Sequence, residues 1–88
     1  MKILDEIKNG ESKILELKEK LPDNKSIAKT VIAFANTSGG KIIVGINDKL
    51  NITGVDANSV YSQKDKIASV IFDSCSPDIL PEIYTINI

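Results

Sequence analysis

The chain has 88 residues, 42% of them hydrophobic and 26% charged, and a formal net charge of -1. That length holds at most one small domain, burying about two thirds of its unfolded surface. A near-neutral balance excludes a surface that is basic all over, so any nucleic-acid contact has to be local. All 11 basic residues are lysine, which removes bidentate guanine reading and arginine fingers.

One cysteine, Cys75, and no histidine exclude a disulfide framework, a Cys/His zinc site and any Ser-His or Cys-His pair. The start carries acids, Asp5 and Glu6, where a signal peptide needs an apolar stretch. No apolar run approaches the ~20 residues of a membrane span. A cytoplasmic location under reducing conditions is expected.

Ile3, Leu4 and Ile7 lie at helical spacing, and Asn9-Gly10 ends that first short helix. From Lys13 to Lys18 the period changes to two. Leu15 and Leu17 alternate with Glu16 and Lys18, the pattern of a strand with one face buried. Leu21-Pro22-Asp23-Asn24 is a turn with a side-chain oxygen ready to cap a helix. The following helix is predicted from Lys25 to Thr37, with Ile27, Ala28, Val31, Phe34 and Ala35 inward and Lys25, Lys29 and Asn36 outward.

Lys41 to Ile46 is a short, β-branched apolar run, as expected of a central strand. Asn47 to Asn51 reads as a turn and Ile52 to Val55 as a short return strand. Ser62 and Asp65 have the spacing of a capping box for a helix from Gln63 to Ser74, with Ile67, Ala68, Ile71 and Cys75 facing the core. Phe34 and Phe72 are also expected in the core. Ile83 to Ile88 alternates again and reads as a last strand. The expected fold is α+β: a small mixed sheet of about four strands with two main helices packed on one side. Because the pattern ends inside a strand, the chain is expected to be one fragment, 1–88, of a longer domain continuing at its C-terminal end.

The junction Phe34-Ala35-Asn36-Thr37-Ser38-Gly39-Gly40 joins a helix to the apolar run Ile42-Ile43-Val44-Gly45-Ile46. Two glycines there suit a left-handed residue past the helix end and a close backbone approach, a structural role for Asn36, Thr37, Gly39 and Gly40. Preceded by Glu11-Ser12 and by Leu15-Glu16-Leu17-Lys18, this junction resembles the Schlafen AlbA-like domain, over roughly residues 10 to 56. The resemblance implies a DNA-binding N-terminal domain of a bacterial transcriptional regulator or helicase-related protein, with DNA ahead of RNA as the partner. A homodimer is left open.

Schlafen-type ribonucleases are similar to this domain and use three acids, which correspond by position to Glu11, Glu16 and Asp48. Asn47 stands where the family often has an acid. Such a cluster would hold Mg²⁺ or Mn²⁺ through oxygen and activate a water, with Lys18 beside Glu16 neutralising a phosphate oxygen. The alternative is that these are solvated charges on a half-buried strand, and for this chain no enzymatic activity is the first expectation.

A second alternative is nucleotide binding, since relatives have been grouped with divergent ATPases. Against it, Ala35 and Ile42 stand where a phosphate-binding loop needs Gly and Ser or Thr. The glycines also follow a helix, whose C-terminal dipole repels anions. The lysines Lys18, Lys25, Lys29 and Lys41, with Lys20 nearby, are the candidate phosphate contacts.

Overall fold

The computed structural model describes residues 2–74 and 81–87. Helix α1 spans Lys2–Asn9, strand β1 Leu15–Lys18, helix α2 Asn24–Ala35 and strand β2 Lys41–Val44. A single 3₁₀ turn, Ala57–Ser59, leads into helix α3, Val60–Ser74.

Strands β1 and β2 are parallel, with Leu15 opposite Lys41 and Lys18 opposite Val44. A parallel pair needs a crossover, and α2 supplies it. The two strand faces are used differently. Leu15 and Leu17 join Ile7 of α1 and Ile46 in a buried cluster, with Ile3 and Ile43 packed against it. Glu16 points the other way, where its carboxylate accepts from the Thr30 hydroxyl of α2 at 3.0 Å. Helix α1 therefore covers one face of the sheet and α2 the other, and α2 packs in turn on α3. Those two helices contribute the buried residues Ile27, Val70 and Ile71.

Local chemistry explains each boundary. Gly10 donates to the Ile7 carbonyl at 3.0 Å and closes α1. The Asp23 carboxylate accepts from the Ser26 amide at 2.8 Å and caps α2, the role expected of Asp23 or Asn24. Strand β1 begins two residues later than the expected Lys13, because Ser12 and Leu15 bond to each other and turn Lys13-Ile14 outward. Ile14 is accordingly 56% exposed.

The expectation of about four strands is corrected. Among the described residues the sheet has two strands. The return strand Ile52 to Val55 is reduced to one antiparallel bridge between Ile46 and Ile52, and the Gly45 backbone packs directly on that of Gly54. Residues 81–87 carry no strand either, and Ile88 lies outside the described residues. Alternation makes a segment able to be a strand, but a strand exists only where a ladder partner is in register.

Two further corrections concern α3. Its start is Val60, not Gln63, because Asp56 accepts from the Asn58 amide at 3.0 Å and sets the preceding 3₁₀ turn. Ser62 sits inside the helix and donates to the Ser59 carbonyl at 3.0 Å, so it caps nothing. Packing on α2 selects the inward stripe, which is Ile67, Val70 and Ile71; Ala68 is exposed and Phe72 is 84% exposed. Cys75 lies outside the described residues.

Candidate nucleic-acid interface

The turn between α2 and β2 is built by its own residues. Asn36 donates to the Ile32 carbonyl, and the Thr37 amide, the Thr37 hydroxyl and the Gly39 amide all converge on the Phe34 carbonyl at 3.0–3.1 Å. Orphan carbonyls at the end of α2 thereby gain partners. Gly39 has φ +99°, and Gly40 lies against the face of the Phe34 ring. Asn36, Thr37, Gly39 and Gly40 thus sit together as one helix-terminating unit, and what the turn offers a ligand is a helix C-terminus, the negative end of the dipole.

Glu11 and Glu16 have separate partners. Hydrogen bonding along β1 alternates, so the Leu15 and Leu17 amides face away from β2. The Leu15 amide donates to the Ser12 carbonyl, and the Leu17 amide donates to the Glu11 carboxylate at 3.0 Å. Glu11 in this way stands in for a neighbouring strand along the outer edge of β1. Glu16 is half-buried beneath α2 and engaged by Thr30. Asp48 is exposed in a turn organised by Asn47, whose side-chain oxygen accepts from the Lys49 and Asn51 amides at 3.0 and 2.9 Å. Asn47 is a turn-builder at the very position where the resemblance suggests an acid.

Among the described residues, no three acidic or cysteine side chains come together in a group that could hold a metal ion. Glu11, Glu16 and Asp48 therefore do not fit a shared Mg²⁺ or Mn²⁺ in this arrangement, which needs several oxygens converging on one point.

The lysines divide into engaged and available. Lys41 is held by Glu6 of α1, its ammonium 2.9 and 3.0 Å from the two carboxylate oxygens. Hydrogen bonding to Glu6, with added charge attraction from Glu6 and from Tyr84, raises the Lys41 pKa above the ordinary lysine value. Lys18 is half-buried on the Glu16 side of β1. Lys25 and Lys29 are exposed on the outward side of α2.

One residue escaped the reading of the sequence. Lys66 of α3 is close enough to Asp23 to act on its charge, as is Lys25. The Ser26 amide and hydroxyl, followed by those two lysines, hold the Asp23 carboxyl below the usual carboxylate range. Packing α3 on α2 therefore brings Lys66 to the end of the lysine-bearing helix. Its exposure was readable, since it lies off the Ile67 and Ile71 stripe; its approach to Asp23 depends on tertiary packing.

Residues 11–88 match the family described as Schlafen, AlbA_2. The chain belongs to that family. No curated relative and no solved structure matches the chain significantly. Membership of the AlbA_2 family associates the domain with a nucleic-acid-related function. Among the described residues no helix is long and apolar enough to cross a membrane.

Proposed function

We propose that this AlbA_2 domain binds nucleic acid through its phosphate backbone, using Lys25 and Lys29 of α2 with Lys66 of α3, and with Lys18 at the margin. DNA is the preferred partner, and the setting is the N-terminal domain of a bacterial transcriptional regulator or helicase-related protein. The observation that supports this reading is the lysine grouping itself. In a chain of net charge -1, Lys25 at the start of α2 and Lys66 of α3 both lie near enough to Asp23 to act on its charge, Lys29 follows Lys25 one turn along α2, and all three are exposed. Lysine acts as a point charge toward phosphate and reads bases poorly, so contacts of this kind position the domain on any sequence.

Lys41 is left out of the interface because Glu6 already neutralises it. A nuclease using Glu11, Glu16 and Asp48 has no convergent carboxylates to support it. Nucleotide binding at Gly39-Gly40 would place phosphate at the wrong end of a helix.

Titration with unrelated single-stranded and duplex DNA and RNA at three salt concentrations tests the proposal. Lys25→Ala with Lys29→Ala should weaken binding to every sequence alike and reduce the salt slope by about two units. Absence of binding to all four ligands at low salt would overturn it.

A further inference from the structure

Because Lys41 and Gly45 donate to carbonyls of the β1 side, at Ile14 and Lys18, the backbone groups of Ile42 and Val44 point away from β1. Among the described residues that edge of β2 has no ladder partner. Beside it runs a cleft of about 700 Å³ that wraps both faces of the strand. On the α1 side it is lined by Ile3 and Ile7, and on the other by Val31 and Phe34 of α2 and Ile67 of α3. A slot that is apolar above and below and has hydrogen-bonding groups along its floor has the shape of an added strand.

The chain itself supplies a segment at that place. Residues 81–86 line the same cleft, Ile83 is half-buried, and Tyr84 lies near enough to Lys41 to act on its charge. We infer that Glu82 to Asn87 is a strap that seats on the free edge of β2, giving Ile42 and Val44 their missing partners and closing the cleft. Its composition suits that seat, since Ile83, Tyr84, Thr85 and Ile86 are β-branched or aromatic and carry no charge. In the described arrangement the segment lies against the slot but outside the ladder. Seating the strap removes an apolar edge that would otherwise recruit another chain.

Residue-resolved hydrogen exchange on the 88-residue chain tests the strap, with the Ile43 and Leu17 amides reporting whether the β1 region stays intact. The Ile42 and Val44 amides should be protected in the unaltered chain. Successive residues of a strand point to opposite sides, so one of Tyr84→Pro and Thr85→Pro must delete a ladder donor. That variant should lose protection at Ile42 and Val44 by about tenfold or more, while Leu17 and Ile43 keep theirs and Thr85→Ala changes neither. Unprotected Ile42 and Val44 in the unaltered chain would overturn the inference. So would protection that survives both proline variants, or protection that grows with protein concentration, since the last would seat a second copy in the slot.

Discussion

Gly40 rests on the ring of Phe34 so closely that a β-carbon at residue 40 would stand 2.6 Å from two of the ring carbons. That contact fixes how β2 leaves α2, and so sets the level at which Lys41 meets Leu15 across the sheet. Gly40→Ala is expected to destabilise the fold by about 1–3 kcal/mol, since the half-buried Phe34 ring must shift to admit the β-carbon. Gly39→Ala meets no atom within 4 Å and carries only the strain of its φ of +99°, about 1–2 kcal/mol. Urea denaturation of the two single variants and of Gly40→Ala in a Phe34→Leu background measures this; the Gly40 cost should fall in that background and the Gly39 cost should not.

Glu11 should behave as a structural residue. Glu11→Gln keeps an acceptor for the Leu17 amide but loses the charge assistance, and Glu11→Ala leaves that amide without its partner. A loss of about 1 kcal/mol is expected for Glu11→Ala, with a smaller loss for Glu11→Gln. Faster exchange at the Leu17 amide in both variants is the direct readout. Equal stability of all three proteins would sink the idea.

Manganese should leave the melting temperature of the unaltered chain where it was, because a ligand stabilises a fold only through a site the fold presents. Glu16→Gln should likewise show the same melting temperature with and without the ion. A metal-dependent rise that Glu16→Gln abolishes would restore the carboxylate cluster as a site.

Stability should respond to acid through Asp23. Its pKa is lowered in the folded chain, mainly by the Ser26 amide and hydroxyl, so folding is favoured above the ordinary carboxylate value and that contribution disappears as pH falls through the lowered one. Asp23→Ala should flatten the acid limb of the stability curve. At the other end of the scale, the Lys41 pKa is raised by Glu6; its contribution is complete below the ordinary lysine value and is lost as pH rises through the raised one. Lys41→Ala should flatten the alkaline limb of the stability curve and leave oligonucleotide affinity nearly unchanged, in contrast to Lys25 and Lys29. Denaturant midpoints across the pH range, beside the titrations, check both halves.

What could be read from the sequence was whatever local periodicity and capping decide. The Leu15 and Leu17 alternation, the Asp23 cap and the glycine junction are all short-range signals, and each reappears in the structure. Phe72 misled because apolar residues lie on more than one side of α3, and the side that is buried, Val70 and Ile71, is chosen by packing on α2, a long-range contact. The last two strands misled for a different reason: ladder partners are long-range, and alternation alone cannot supply them. At the candidate interface, Lys25 and Lys29 were visible from their helix phase. The Glu6 partner of Lys41 and the approach of Lys66 to Asp23 join residues far apart in the chain, and no local pattern encodes them.

The parallel register of β1 with β2 carries a consequence for how the domain comes apart. Leu15 and Lys41 are neighbours in space with the whole of α2 strung between them, so neither strand can hold the other unless that helix is folded and seated through Thr30 and Phe34. Closing so long a loop has to be compensated by contacts made at the same time. Helix α2, which carries two of the lysines proposed to grip phosphate, is therefore also the hinge pin of the sheet: a ligand that clamps it should slow opening of β2, and exchange at strand amides far from any lysine should report that the ligand is bound.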